Sequence, residues 1–162
     1  MDPLGKSPIP VIFLILGKLA LFGCCFFPLV KIMNIDIMLY DNLVTQAVGI
    51  VLYAVGLFFV TLSIINLGSS ISVGLPREKT QLKTRGLYRI SRNPIYFGAF
   101  VLCAGSCLIA IHPVNFLLFI TVVLIHHQII KKEEIFLEKR FGEDWLNYKK
   151  QVYRYIGRKI YK

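Results

Sequence analysis

The sequence predicts an all-α integral membrane protein of about four transmembrane helices, with a tight hairpin between the third and fourth and an amphipathic helical tail. The first observation behind this prediction is composition. Of 162 residues, 56% are hydrophobic and only 17% are charged, with a mean hydropathy of +0.63, whereas soluble domains are roughly 45–50% apolar and about 25% charged. The second is a set of long apolar stretches, and the third is the confinement of nearly all charge to two segments. Disordered, collagen-like and coiled-coil chains are excluded by this composition.

Four apolar stretches approach the length of about 17 to 25 helical residues that crosses a bilayer. Residues 9–30, which include Lys18, and residues 43–67 are long enough to span, and we expect the first helix to be uncleaved. Residues 95–111 and 114–130 are shorter and are separated only by His112 and Pro113, which predicts a tight helical hairpin. The expected organisation is a single membrane domain over residues 1–162, with a cytosolic loop at 68–94 and a cytosolic tail at 131–162.

The basic residues are unevenly distributed along the chain, and their positions indicate what they contact. The formal net charge is +10, and of the 19 lysines and arginines six lie in residues 67–94 and ten in residues 131–162. Four spans place both segments and both termini on one side, so the positive-inside rule predicts that this side is cytosolic. Contact with anionic lipid headgroups explains the excess charge, and no nucleic-acid partner is expected. We expect a prokaryotic inner membrane, or the endoplasmic reticulum in a eukaryote; the oligomeric state stays open.

The tail carries an apolar stripe at helical spacing. Its members recur every three or four residues, which is typical of one face of a helix lying on a membrane surface or closing over a site: Leu137, Phe141, Trp145, Tyr148, Val152 and Tyr155. Gly142 interrupts the stripe, so one helix, or two helices with a bend at Phe141–Gly142, both fit.

Candidate functional residues lie in three places. Residues 82–98 (LKTRGLYRISRNPIYFG) combine Arg85, Arg89 and Arg92 with Tyr88 and Tyr96, and this density of planar cations and rings suits an anionic or nucleotide ligand.

Glu133 and Glu134 follow Lys131 and Lys132 at the end of the fourth span, where they fit either solvated ion pairs or a polar ligand site. His126 and His127 fit either an interface position or a polar cavity. The four cysteines lie within spans and fit small apolar packing, so no metal site is predicted.

The order of these features resembles the isoprenylcysteine carboxyl methyltransferase family and the wider group of small membrane methyltransferases that includes phospholipid methyltransferases. The resemblance covers roughly residues 67–156: the string GLYRISRNPIYFG, a hairpin of short helices turning at proline, and the string EEIFLEKRFGEDWLNYKKQVYRY. It implies a membrane enzyme that transfers a methyl group from S-adenosylmethionine, giving S-adenosylhomocysteine, to a lipophilic or lipidated acceptor. The resemblance also implies that the cofactor binds without a Rossmann domain, and the chain accordingly contains no G-x-G-x-x-G string.

The resemblance also implies site residues. Arg92, Asn93 and Tyr96 are expected in a catalytic role, and the cofactor contacts are expected at Thr80, Gln81, Leu82, Lys83, Tyr88, Asn93, Pro94, Ile95, Tyr96, Glu133 and Glu134. Two positions depart from the family pattern. Asn93 stands where the usual motif has histidine, so no acid–base role is implied there. Ile129 stands where the prenylcysteine enzymes have a substrate-binding arginine, so recognition of a prenylcysteine carboxylate is not implied.

Two other functions stay open at this point. The C-terminal part of membrane sterol reductases is similar to the same hairpin and motif but binds NADPH, in chains with more spans than 162 residues can supply. A non-enzymatic membrane relative is the third possibility, and Asn93 and Ile129 are the residues in its favour.

Overall fold

Five α-helices and a short 3-10 turn make up the described part of the chain. The computed structural model describes residues 10–33, 35, 39–67 and 82–159. Its helices are α1 (Val11–Ile32), α2 (Leu43–Leu67), α3 (Pro94–Ile109), α4 (Pro113–Phe141) and α5 (Glu143–Gln151), with the 3-10 turn at Gly86–Arg89. The all-α fold class predicted from the sequence is confirmed.

The apolar helices differ in length in a way that refines the expectation of four spans. By length and apolar composition α1, α2 and α4 can each cross a membrane. Helix α3 has 16 residues and is about 24 Å long, shorter than the roughly 30 Å hydrocarbon core. It begins at Pro94, where a first-turn proline loses no intrahelical hydrogen bond.

Helix α3 lies at the centre and contacts α1, α2 and α4. Its contact with α2 is made by glycines that let the two backbones touch. A Cβ atom added to Gly56 would lie 2.4 Å from the Leu102 backbone nitrogen, and one added to Gly105 would lie 2.5 Å from the Tyr53 nitrogen. Small residues at such crossings are typical of helices packed within a membrane, because van der Waals contact replaces the hydrophobic effect there.

The α3–α4 turn lies at the end of the bundle away from Pro94. Leu39 donates its backbone N–H to the Ile111 carbonyl, and Tyr40 forms an isolated antiparallel bridge with Ile111. Inside the hairpin, buried Asn115 donates to Ser106 Oγ and to the Ala110 carbonyl. These bonds satisfy the polar groups that the turn buries in an apolar setting.

The tail is folded onto the protein, which corrects part of the sequence prediction. Helix α4 continues to Phe141 and stops at Gly142, which has φ +51°, so the bend expected there is present. The predicted helical stripe, however, ends early: α5 stops at Gln151, and Val152 is extended. The tail loop, residues 152–158, turns back through a Val152–Arg158 bridge. Trp145, Tyr148 and Val152 are buried against protein rather than turned to a membrane surface.

Candidate functional site

One end of the bundle, here called the polar end, collects most of the candidate residues. Three segments meet there: residues 82–93, which lead into the start of α3; the C-terminal part of α4; and α5 with the tail loop. Because α3 and α4 run antiparallel in a hairpin, the start of α3 lies beside the end of α4. Asn93 and Tyr96 therefore reach Glu134 and Glu133 across 41 and 37 residues of sequence.

Glu134 is the most heavily bonded of these side chains. Arg154 donates to both of its carboxylate oxygens, with Nη2 to Oε2 at 2.9 Å. Asn93 donates Nδ2 to Oε1 at 3.1 Å, and Arg92 Nη2 lies 3.4 Å from the same oxygen. The Glu134 side chain is only 5% exposed. Two guanidinium groups and an amide thus hold this carboxylate, which makes it a structural clamp between three segments.

Glu133 differs from its neighbour in how it is held. Its Oε1 accepts a hydrogen bond of 3.0 Å from the Tyr96 hydroxyl, and its side chain is half-buried. No bond to Glu133 from a guanidinium is seen in residues 82–159. A carboxylate with one phenol partner keeps acceptor capacity, since each carboxylate oxygen offers about two lone-pair directions. Of the two glutamates, Glu133 is the better placed to bind a polar ligand group.

Arg92 lies beneath α5. Its side chain is 7% exposed, and its guanidinium carbon lies 5.8 Å from the centre of the Trp145 ring. Burial lowers the pKa of Arg92, while the Glu134 carboxylate opposes that effect. Within the described ranges, its Nε and Nη1 atoms have no hydrogen-bond partner. Buried donors of this kind call for an acceptor, such as water or an anionic group.

Tyr88 and Tyr148 join the 3-10 turn to α5. The Tyr148 hydroxyl donates to the Tyr88 carbonyl at 2.6 Å and to the Ser91 carbonyl at 3.3 Å. Burial, and secondarily the Glu133 carboxylate, raises the pKa of Tyr88 to about 12. Burial likewise raises the pKa of Tyr148. Both phenols are therefore neutral donors at physiological pH.

The tail loop is a part of this end that the sequence reasoning missed. The Tyr153 carbonyl accepts a hydrogen bond from the Arg92 N–H, and the Arg154 carbonyl accepts one from the Asn93 N–H, both at 3.1 Å. In return, Gly157 donates its N–H to the Ile90 carbonyl at 2.7 Å. The apolar residues keep a helical spacing as far as Tyr155, so the sequence pattern predicted a helix where the chain turns. Gly157, which has φ +115°, was the available signal that the chain reverses here.

The remaining predicted cofactor contacts fall into two groups: those that the structure describes and those that it does not. Thr80 and Gln81 lie outside the described residues. Leu82 packs against the cluster of Trp145, Tyr148 and Val152. Lys83 and Ile95 are half-buried, and Pro94 is buried.

Ile129 is 6% exposed. With Phe13, Ile125, Leu124, Gln128, Pro10 and Lys132 it lines an apolar groove of about 380 Å³ between α1 and α4. The position that holds an arginine in the prenylcysteine enzymes is thus part of an apolar wall in this chain.

Comparison with known proteins identifies the family. Residues 44–144 match the phospholipid methyltransferase family. The chain is 32% identical over 108 residues to protein-S-isoprenylcysteine O-methyltransferase A of Arabidopsis thaliana, covering 64% of this chain and 55% of that protein. It is also 32% identical over 89 residues to a Delta(14)-sterol reductase of Methylotuvimicrobium alcaliphilum, covering 52% of this chain and 20% of that protein.

The matches cover different shares of this chain and of its relatives. The chain spans about half the length of the plant methyltransferase and a fifth of the length of the reductase. The family match covers well over half of this chain, from the start of α2 to the start of α5. It therefore includes α3, α4 and both glutamates, but not the tail loop. The chain belongs to the phospholipid methyltransferase family.

Proposed function

We propose that this protein is an integral-membrane methyltransferase that transfers a methyl group from S-adenosylmethionine to a lipophilic acceptor, with its site at the polar end facing the cytosol. One observation carries the proposal: residues 93–96 lie against the glutamate pair, with Asn93 on Glu134 and Tyr96 on Glu133. Family membership supports methyl transfer as the reaction.

The donor set fits the polar groups of such a cofactor. A carboxylate such as Glu133 suits ribose hydroxyls or an ammonium group. The Arg92 Nε and Nη1 atoms, which have no hydrogen-bond partner among the described residues, suit a carboxylate. Tyr88 and Tyr96 offer neutral phenols and ring faces. When bound, the cofactor supplies an electrophilic methyl group on a sulfonium.

The chain's own residues have a limited set of tasks in this proposal. Methyl transfer is an in-line displacement that needs no covalent enzyme intermediate, so orienting the reactants supplies much of the acceleration. Glu134 and its two arginines hold the start of α3 against α4. Glu133 and Tyr96 then face the ligand from a fixed frame. A lipophilic acceptor enters sideways from the bilayer, since α1, α2 and α4 expose apolar side chains to it.

A reductase is the second candidate, and the match to the sterol reductase is the observation in its favour. That match covers about half of this chain and a fifth of the reductase, which leaves most of the reductase without a counterpart here. A reductase of this type would bind NADPH rather than an adenosyl cofactor.

Thermal unfolding of detergent-purified protein with S-adenosylmethionine, S-adenosylhomocysteine or NADPH tests the proposal. A ligand that binds only the folded state, at 100 times its dissociation constant, stabilises by about 2.7 kcal/mol. We expect stabilisation by both adenosyl compounds, and its loss in Glu133→Gln. The matched control is Glu138→Gln, which removes an exposed carboxylate of the same helix. Stabilisation by NADPH alone would assign the chain to the reductases, and no response to any ligand would refute the proposed cofactor.

A further inference from the structure

The tail loop brings a second polar pair to the apolar stretch of α4, where polar pairs are rare. Nδ1 of His127 and the hydroxyl of Tyr155 lie 2.5 Å apart, with ring centres 6.1 Å apart. His127 lies four residues, or about 6 Å, before Lys131, the first charged residue after the apolar stretch of α4. Ionisable groups inside a membrane boundary are costly and are usually functional.

This pair is joined to the site described above. Arg154 and Tyr155 are adjacent in the tail loop, and they reach Glu134 and His127, which lie seven residues apart on α4. Seven residues are two helical turns, so both side chains lie on one face, roughly 10 Å apart along the helix. The Tyr155 ring also lies 5.7 Å from the Phe100 ring of α3. The pair therefore lies between α3 and α4, on the membrane side of the Glu134 clamp.

His126, the neighbouring histidine, is used differently. Its Nδ1 bonds to the Val122 carbonyl within α4, and its ring packs at 5.8 Å from Tyr96. It is 7% exposed, whereas His127 is half-buried. Of the two histidines, His127 is the more exposed, and it is the one that contacts the tail loop.

We infer that His127, oriented by Tyr155, takes up the proton that the methyl acceptor releases during transfer. This inference rests on the proposed function. This role requires the tautomer in which Nδ1 carries the proton and donates it to the Tyr155 oxygen, so that Nε2 is free to accept a proton. The acceptor's lone pair forms the bond to the methyl carbon, and the carbon–sulfur bond breaks with its electrons passing to sulfur. The acceptor's proton passes to Nε2 and is later released to water. A carboxylate acceptor, which is already deprotonated, would need no such group.

The surroundings of His127 suit this role. Tyr155 approaches it from the tail loop and the apolar Phe100 lies beside Tyr155 on α3. On α4 itself, Lys131 follows one turn later and Glu134 two turns later, and Arg154 neutralises Glu134 from the tail loop. No carboxylate is paired with the imidazole among residues 82–159.

The first experiment measures methyl transfer from labelled S-adenosylmethionine to three probes in mixed micelles: phosphatidylethanolamine, a long-chain alcohol and an S-prenylated cysteine with a free carboxylate. We expect transfer to the amine or the alcohol, lowered about 100-fold or more in His127→Gln, and lowered less in Tyr155→Phe. His112→Asn is the control, because His112 caps α4 at the opposite end and asparagine is a favoured cap. Each variant must bind S-adenosylhomocysteine as the wild type does.

Other outcomes overturn the inference. Undiminished transfer in His127→Gln, or transfer to the carboxylate probe alone, would remove the role of His127 while leaving the proposed function intact. No transfer to any probe by wild-type protein would refute methyl transfer itself, and the inference with it.

The second experiment reads the imidazole directly, without turnover. In protein labelled with ¹⁵N-histidine, the nitrogen resonances identify the tautomer of each of the three histidines. We expect His127 to carry its proton on Nδ1, and this preference to be lost in Tyr155→Phe. A His127 protonated on Nε2 in the wild type would overturn the inference.

Discussion

Removing the Glu134 carboxylate should destabilise the protein far more than removing any other acid of the same helix end. The substitution Glu134→Ala leaves the Arg92 guanidinium, 7% exposed, without its anionic partner. Breaking a buried ion pair in this way costs about 3 to 5 kcal/mol. Arg154 contributes less to that loss, because its side chain is 31% exposed and can turn to water.

The assay is equilibrium unfolding in detergent, followed by the fluorescence of Trp145. It is the one tryptophan of the chain, it is 1% exposed, and Arg92 lies over its ring, so its signal reports the docking of α5. The matched control is Glu138→Ala, whose partner Lys149 and own side chain are 41% and 42% exposed. An exposed pair of that kind contributes about 0 to 1 kcal/mol.

A double variant separates the cost of the unpaired charge from that of lost packing. Replacing Arg92 and Glu134 together with methionine removes both charges and keeps apolar volume, and such replacements are often neutral. We expect it to recover most of the stability lost in Glu134→Ala. The reasoning is refuted if the free energies of unfolding of Glu134→Ala and Glu138→Ala lie within about 1 kcal/mol of each other. It is also refuted if the double variant is no more stable than Glu134→Ala.

Two further predictions concern stability. Gly56→Ala should lower the free energy of unfolding by about 1 to 3 kcal/mol in the same assay, because its methyl group would lie 2.4 Å from the Leu102 backbone. The control is Gly23→Ala, whose methyl group would meet a Leu118 side chain at 3.3 Å and should change the free energy of unfolding little. Stability should also fall as the pH rises from about 10 to about 12, since the raised pKa of Tyr88 means that the unfolded chain releases its phenolic proton first. That fall should be smaller in Tyr88→Phe, and an identical pH profile for the two proteins would contradict the assignment.

The sequence predicted local features well because each depends on a few adjacent residues. Pro94 marks the start of α3, Gly142 breaks the tail, and His112–Pro113 turns the hairpin. Helix α4 runs eleven residues beyond its predicted span because residues 131–141, seven of which are charged, remain helical after the apolar stretch ends. Apolar length alone cannot locate that end.

Features that depend on distant residues were not predictable in the same way. The two glutamates look equivalent in sequence. What distinguishes the held Glu134 from the open Glu133 is contact with distant residues, such as Arg154, which lies 20 residues away in the chain. The tail loop was concealed by a stripe whose helical spacing continued past the last helical residue. The α2–α3 contact did leave a readable signal, because Gly49 and Gly56, like Gly98 and Gly105, lie seven residues apart on one helix face.

The return of the tail loop to Arg92 and Asn93 has a consequence for how the protein is made. Helices α3 and α4 can pair as soon as both are synthesised, since they are joined by a short turn. The backbone N–H and the side-chain amide of Asn93, however, both donate to the carbonyl of Arg154, which lies 61 residues later in the chain. Such distant contacts form after local ones. Insertion into the membrane and assembly of the polar end are therefore separate steps in biogenesis, so a defect in residues 152–158 should yield a protein that is inserted and helical but has an unfinished site.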